Sequence, residues 1–241
     1  MKKILLFLLT FICLFALAAC TKTDDSGKKE DDNKTNTPAD NTGDNTGDNT
    51  GEDTSDLDTI ISDTFKGIAS GKKIYLTTCG QSDIRILELL LNDVYDENEE
   101  EIKANFPGAS SLEDIILSKD DLKASEVEEG SVVFVVVGGS NKGLGAAGTN
   151  VSDETRRASE FAELKGKVTL VVLHIGKQAR RGDTSDPIIR AIAPKADLLM
   201  VVVDGDFDGY FAGVAKTNNI EYHQYTKNPK LTPSLLKMFC K

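Results

Sequence analysis

The sequence predicts an α/β domain built on a doubly wound, mostly parallel sheet, arranged as a flavodoxin-like or Rossmann-like three-layer sandwich. Strand-like and helix-like segments alternate from residue 73 to the carboxyl terminus, which is typical of parallel strands joined by helical crossovers. Residues 132–137 are apolar at every position, as in a strand that helices cover on both faces. We expect about five strands, with a weak sixth as the alternative.

The strands are expected where short apolar runs are bounded by glycine or polar residues. A lead-in helix precedes them, because apolar side chains recur at helical spacing from Leu57 to Ile68 and Gly71 follows as a stop signal. The predicted strands cover 73–78, 115–117, 132–137, 168–175, 198–203 and 222–225.

The helices are predicted from their capping residues. Ser82 or Asp83 is suited to cap the first crossover helix. Asp153 and Glu154 favour the positive end of a helix that starts after Ser152. Asp186 followed by proline is suited to an N-cap and a first helical position. The predicted helices cover 84–95, 153–165, 186–194, 210–217 and 234–239, whereas 96–112 and 138–148 are expected to be irregular.

The amino terminus has the features of an exported lipoprotein. Two lysines follow Met1, an apolar run covers residues 4–16, and Leu-Ala-Ala-Cys comes next, as in a secretory signal peptide. The apolar run is shorter than the about 20 residues that a membrane-spanning helix needs. The tetrad resembles the bacterial lipobox, which implies acyl chains such as palmitate on Cys20 and a stable anchor. The alternative is an ordinary signal peptide cleaved after Ala19.

The segment after Cys20 is polar and repetitive. It consists almost wholly of Asp, Asn, Thr, Gly, Ser, Lys and Glu, and Asn-Thr-Gly-Asp repeats within residues 41–52. Because it has no apolar surface to offset the entropy of ordering, we expect a disordered tether. The predicted organisation is a signal peptide over 1–19, a lipidated cysteine with an acidic tether over 20–56, and a single α/β domain over 57–241.

The charge of the chain argues against nucleic acid as a partner. It has 39 acidic and 28 basic residues, for a formal net charge of -11 at pH 7. Such an excess of acidic groups repels a polyanion. The predicted location is the extracytoplasmic side of the cell membrane. The predicted partners are the membrane, through lipid on Cys20, and a small ligand, with a membrane transporter or receptor as an open addition.

The loops at one edge of the sheet are the expected place for a ligand. In open parallel sheets, ligands bind outside the carboxyl ends of the strands. We predict no catalytic residue, metal ligand or cofactor there. The candidate ligand-binding residues are Gly80, Gln81, Ser82, Gly139, Ser140, Lys142, Gly143, His174, Arg180, Arg181 and Ser185.

A basic loop within an acidic domain indicates the charge of that ligand. Lys177, Arg180 and Arg181 lie within five residues of one another, and no acidic residue occurs between Val168 and Gly182. Guanidinium groups bind carboxylate or phosphate through paired hydrogen bonds. The sequence therefore favours a small anion. The equally weighted alternative is that one of the two arginines pairs with Asp183, Asp186 or Asp204 and only fixes the loops.

Glycines at 139, 143 and 145 resemble the nucleotide-binding signature of short-chain dehydrogenases. That signature follows the first strand, however, whereas these glycines follow an interior one. The catalytic Tyr-x-x-x-Lys pair is also missing, because Tyr210 is followed by Lys216 at the wrong spacing. We therefore predict no nicotinamide cofactor. The remaining interpretations are a mobile loop and a backbone that approaches a ligand closely.

Ser140 is the basis of an enzymatic alternative. With His174 and Asp204 nearby, a hydrolase triad can be drawn, and Cys79 offers a second nucleophile. Ser140 departs from a nucleophile elbow, because the last glycine and the following helix of that motif are missing. We therefore consider an enzyme less favoured than a binding protein.

Asp204, Asp206 and Asp208 resemble the start of a calcium-binding EF-hand loop. The glutamate that such a loop needs at its twelfth position is Ala215 here. Helix capping by Asp206 or Asp208 is the preferred interpretation. We also expect no disulfide between Cys79 and Cys240, because the predicted topology puts them toward opposite ends of the sheet.

Three segments together resemble a family of exported bacterial proteins that is known as a domain of unknown function and often has lipoprotein signals. They are Gly80-Gln81-Ser82, the glycine run 138–148, and the segment 174–186 with its Arg-Arg-Gly motif. The resemblance covers residue 72 to the carboxyl terminus, although Cys79 stands where a small residue is expected. It implies that these loops form one site and supplies no substrate.

The function expected from these observations is a membrane-tethered binding protein for a small anionic ligand. The alternatives are an extracytoplasmic hydrolase that uses Ser140 and His174, and a protein-docking module.

Overall fold

A computed structural model describes residues 57–81 and 83–241. The predicted signal peptide, the lipidation site Cys20, the tether and the candidate residue Ser82 lie outside the described residues. Within the described part of the chain, no helix is both long and apolar enough to cross a membrane.

The sheet has six strands, all parallel, in the order β2-β1-β3-β4-β5-β6. The predicted doubly wound α/β fold is confirmed, and the weak sixth strand is present. The chain runs outward from β1 to β2 and then returns to the other side of β1, so the direction of winding switches between β1 and β3. The strands are β1 (Ile74–Cys79), β2 (Ile116–Ser118), β3 (Val132–Val137), β4 (Thr169–His174), β5 (Leu198–Val202) and β6 (Glu221–Tyr225).

Helices form the two outer layers. One hydrophobic core lies between the sheet and α1, α2 and α8, and the other lies between the opposite face and α5, α6 and α7. Alternate residues of β3 belong to the two cores, with Phe134 in the first and Val135 in the second, which explains its uniformly apolar sequence. The helices are α1 (Ile84–Glu97), α2 (Glu99–Asn105), α3 (Leu112–Ile115), α4 (Asn141–Ala146), α5 (Val151–Ala162), α6 (Asp186–Ile192), α7 (Tyr210–Asn218) and α8 (Thr232–Phe239).

The described chain enters the domain beside the end of β6. Leu57 forms a parallel bridge with Gln224, and the Asp58 carboxylate accepts a hydrogen bond from the Thr226 amide at 2.7 Å. Gln224 is in register with Val201, the penultimate residue of β5. The entry point is therefore at the edge of the sheet where the strands end.

The predicted lead-in helix over 57–68 is wrong. Only a 3-10 turn, Asp63–Phe65, forms there. The backbone bonds to a distant part of the chain instead, because the Gly67 amide donates to the Lys237 carbonyl at 2.8 Å. Ile61 is still fully buried, so the apolar periodicity marked burial and not a helix.

Two segments that were expected to be irregular contain helices. Residues 96–112 include α2, whose first turn holds three glutamates that interact favourably with the positive end of a helix. Residues 138–148 include α4, where the Ser140 hydroxyl accepts a hydrogen bond from the Gly143 amide at 3.1 Å. The long loop that was expected after β3 is therefore short.

Two predicted helix starts are also displaced. Asn150, and not Ser152, caps α5, since its side-chain oxygen accepts from the Asp153 amide at 3.0 Å. Ser185, and not Asp186, occupies the N-cap position of α6.

Candidate functional site

The loops after β1, β3 and β4 meet where the direction of winding switches. We call residues 80, 81 and 83, 138–143 and 174–185 the switch-point loops. A methyl group on Gly139 would lie 2.7 Å from the Gly80 carbonyl oxygen, and one on Gly80 would overlap the Gly138 carbonyl group. Only glycine permits this approach. The described candidate residues after β1 and β3 are therefore brought together.

The two candidate serines hold the backbone of these loops. The Ser185 hydroxyl is fully buried, accepts from the Gly139 amide at 2.9 Å and donates to the Gly139 carbonyl at 3.1 Å. Ser140 caps α4 through Gly143. Both hydroxyls therefore have a structural partner.

Arg181 has the structural role that the sequence left open. Its side chain is only 2 % exposed and forms ion pairs at 2.8 Å with both Asp186 and Asp208. It also donates to the Gly205 carbonyl. Burial alone would lower the pKa of Arg181, but the hydrogen bonds that it donates to Asp208 and Asp186 raise that pKa above its usual value. The guanidinium group therefore fastens the loop after β4 to the loop after β5.

Aromatic rings complete the surroundings of Arg181. Its guanidinium carbon lies 5.3 Å from the ring centre of Phe207, 5.8 Å from that of Tyr210 and 5.4 Å from that of Phe211. Such distances allow cation–π attraction. Because its N–H groups donate to protein oxygens and its guanidinium plane lies near aromatic rings, Arg181 is not available to bind a ligand.

Arg180, by contrast, remains accessible. Its side chain is 36 % exposed, and its Nε atom lies 3.6 Å from an Asp83 carboxylate oxygen, which is too long for a direct hydrogen bond. Lys177 pairs with Asp204 at 3.5 Å. Lys142 is exposed and forms no ion pair with another residue of the described chain. Arg180 and Lys142 are therefore the accessible candidate cations.

His174 is buried beneath these loops. Its Nδ1 atom lies 2.9 Å from the Val137 carbonyl oxygen and its Nε2 atom 3.1 Å from that of Lys177. The ring also stacks on Phe211. Since both ring nitrogens contact backbone carbonyl groups, neither is directed at Ser140. The structure does not assemble the hydrolase pair that the sequence left as an alternative.

Protonation of His174 is expected to make stability depend on pH. Burial lowers the pKa of His174, so the unfolded chain binds a proton more readily than the folded one. The free energy of unfolding should therefore fall as the pH drops below about 6.5, by up to about 1.4 kcal/mol per pH unit from this group. Urea unfolding over the range of about pH 8 to 5 measures this slope.

One substitution assigns that slope to a single residue. His174→Gln removes the imidazole group and should flatten the dependence of stability on pH. An unchanged slope in the His174 variant contradicts the assignment.

Backbone strain is concentrated in the same loops. Gln81, Asp83 and Lys177 have φ angles of 59°, 65° and 59°. They are three of the five non-glycine residues with positive φ that are found in the described part of the chain. Such conformations cost free energy and cluster at ligand clamps and active sites.

The sequence missed a buried ion pair under the first loop. Glu154 is 3 % exposed, accepts from the Gly80 amide at 2.8 Å and pairs with Arg157 at 2.9 Å. Arg157 also donates to Thr77 and to the carbonyl groups of Thr78, Asp120 and Leu122. An i,i+3 pair of charges is typical of exposed helix faces, so nothing local indicated burial.

A groove of about 430 Å³ runs beside this pair, between α5 and the loops after β1 and β2. It is lined by Gln81, Thr149 and charges of both signs, including Lys123, Arg156 and Asp153. The mixed lining does not favour a ligand of either charge.

The remaining sequence hypotheses are resolved by hydrogen bonding and burial. Asp206 accepts hydrogen bonds from the Phe211 and Ala212 amides in the first turn of α7, at 2.7 and 3.0 Å, although Gly209 occupies the N-cap position. Among the described residues, no group of His, Cys, Asp or Glu is arranged to hold a metal ion.

The two described cysteines are free and buried, in cores on opposite faces of the sheet. Burial raises the pKa of Cys79 to about 12, which keeps the thiol protonated and unsuited to act as a nucleophile.

These features define a doubly wound α/β domain in which buried arginine–carboxylate pairs hold the loops at the carboxyl ends of the strands. The chain belongs to a family described as a domain of unknown function (DUF6305), whose model matches residues 71–239. This confirms the domain of unknown function expected from the loop motifs. No curated protein matches the chain. No solved structure matches it either.

Proposed function

We propose that this protein is a lipid-anchored, extracytoplasmic binding protein that takes up a small anionic ligand at the switch-point loops. The observation that carries the proposal is the accessibility of the Arg180 guanidinium group. Its guanidinium group is 36 % exposed, stands at the junction of β1 and β3, and lies 3.6 Å from Asp83, its one ion-pair contact within residues 57–81 and 83–241. Lys142, exposed at the start of α4, adds a second positive charge from the neighbouring loop.

The start of α1 supports an anion at this position. The helix begins at Ile84, and the Asp83 side chain makes no capping hydrogen bond to it. Its first amide groups therefore contribute positive potential. In the proposed complex, the anionic group of the ligand accepts hydrogen bonds from Arg180 in place of the long contact with Asp83. The positive φ angles of Gln81 and Asp83 support a segment that rearranges on binding.

Thermal unfolding of residues 21–241, the chain without its signal peptide and Cys20, tests the ligand class against inorganic phosphate, sulfate, short carboxylates and sugar phosphates. A ligand at about 100 times its Kd stabilises the folded state by about 2.7 kcal/mol, which raises Tm by roughly 5–10 °C for a domain of this size. Arg180→Ala should abolish the shift that the best anion produces.

Arg156→Ala is the matched control, because Arg156 is an exposed arginine on α5 with its own partners, Asp153 and Glu160. The proposal fails if no anion stabilises the wild type, or if the Arg180 variant responds as strongly as the Arg156 variant.

The lipid anchor rests on the sequence around Cys20. In cells fed labelled palmitate, the wild-type chain should carry the label and sediment with membranes. Cys20→Ser should lose both the label and the membrane association, while Cys13→Ser, within the signal peptide, should keep both. A Cys20→Ser chain that still carries labelled lipid excludes the proposed anchor.

A further inference from the structure

A second recess lies at the outer corner of the sheet and shares no residue with the switch-point loops. It has a volume of about 220 Å³ and is enclosed by α1, α3 and β2. Its floor is apolar and is formed by Leu76, Leu91, Leu112 and Ile116.

The recess exists because the elements at this corner are short. β2 pairs with β1 only from Ile74 to Leu76. α3 has four residues and leads directly into β2. Among the described elements, the short α3 and β2 leave this corner of the sheet recessed beside α1, although Leu76, Leu91 and Ile116 are themselves at most 8 % exposed.

The rim of the recess is polar and carries more negative than positive charge. Glu88 accepts from the Ser118 hydroxyl at 2.6 Å and from Arg85 at 2.6 Å, and its side chain is 21 % exposed. Arg85 is 83 % exposed, so its charge is largely screened by solvent. Glu113 adds a second carboxylate from α3. A hydrogen bond from Ser111 lowers the pKa of Glu113, so it stays ionised at neutral pH.

We propose that this recess binds an ammonium compound with a short, branched apolar tail. The tail lies on the leucine and isoleucine floor, and the ammonium group donates hydrogen bonds to Glu88 and Glu113. A volume of 220 Å³ equals about seven water molecules of liquid volume, room for roughly six to nine non-hydrogen atoms. This site is independent of the anion site proposed above.

The two natural forms of such a ligand are a free amine and an apolar amino acid. They share the ammonium group and the tail and differ in a carboxylate. In the amino acid, the carboxylate lies toward Arg85, the cation of the rim. Isopentylamine and leucine have the same branched tail and therefore distinguish the two forms. The compound 4-methylpentanoate keeps the tail and the carboxylate but lacks the amine.

NMR titration of residues 21–241, the chain without its signal peptide and Cys20, tests the proposal with these three probes. Isopentylamine should cause saturable shifts of amide signals in α1 and α3, with a Kd of about 1 mM, as expected for so small a ligand. The acid 4-methylpentanoate should bind at least about tenfold more weakly, because it brings a third carboxylate to the rim. If leucine binds more tightly than isopentylamine, and Arg85→Ala removes that difference in affinity, the natural ligand has the amino acid form. If leucine binds as tightly as isopentylamine or more weakly, the natural ligand is the free amine.

Glu88→Gln keeps the size of the side chain and a hydrogen-bond acceptor for Ser118, and it should weaken isopentylamine binding at least about tenfold. Glu160→Gln, on α5 against the other face of the sheet, is the matched control and should bind as the wild type does. The same spectra report whether each variant is folded. The proposal is overturned if no probe gives saturable shifts, if the acid binds as tightly as the amine, or if the folded Glu88 variant binds isopentylamine as the wild type does.

Discussion

Arg181→Ala is expected to destabilise the fold by about 3–5 kcal/mol, because it leaves two carboxylates and a carbonyl group without the donor that joins them. The Arg181 side chain is 2 % exposed and pairs with Asp186 and Asp208. Those two residues belong to the start of α6 and to the loop after β5, so the substitution separates two segments. Urea unfolding monitored by circular dichroism measures the loss.

Arg180→Ala is the matched control, since it removes the adjacent arginine from the same loop. Arg180 is partly exposed, and in the described part of the chain its ion-pair contact is a long one with Asp83. The control should therefore change the free energy of unfolding by no more than about 1 kcal/mol. Equal losses in the two variants would show that Arg181 does not hold these loops together.

Arg157→Ala is expected to cost a similar 3–5 kcal/mol. The side chain is 13 % exposed and that of its partner Glu154 4 %. Removing Arg157 leaves Glu154 as a buried charge and deprives four oxygen atoms around β1 and the connection after β2 of their donor. Glu154 accepts a hydrogen bond from the Gly80 amide. Hydrogen–deuterium exchange at that amide should therefore accelerate by more than the loss in global stability explains.

The neighbouring Arg156 provides the control for this substitution as well. It lies on the same helix, is 67 % exposed and pairs with exposed acids. Arg156→Ala should remain within about 0.5 kcal/mol of the wild type. A wild-type exchange rate at Gly80 in the Arg157 variant would refute the proposed support of the first loop.

These paired arginines show why the architecture was predictable and the roles of individual site residues were not. Val132–Val137 revealed a strand buried on both faces, because each of its side chains enters one of two cores. Topology then brought the loops after β1, β3 and β4 together. Burial of Arg181, and not of Arg180, depends on carboxylates up to 27 residues away, such as Asp208. The residues next to the two arginines do not indicate which of them meets those carboxylates.

The same limit explains two of the errors in secondary structure. Ile61 and Phe65 are buried at helical spacing, but their segment bonds to α8 and β6, far along the chain. α2 was missed for the opposite reason. Its sequence is acidic, and Ile102 is its one buried residue, so the helix lacks the apolar stripe that marks an amphipathic element.

The bridge between Leu57 and Gln224 determines how a mechanical load would reach the domain. Any force on the chain ahead of residue 57 passes first to the last residues of β6, an outermost strand, and from there to β5 through their shared register. Beyond the bridge, the chain continues through residues 58–73 into β1, near the centre of the sheet. A pull from upstream would therefore first detach the entry segment from β6 and α8, and only then load β1 and its junction with β3.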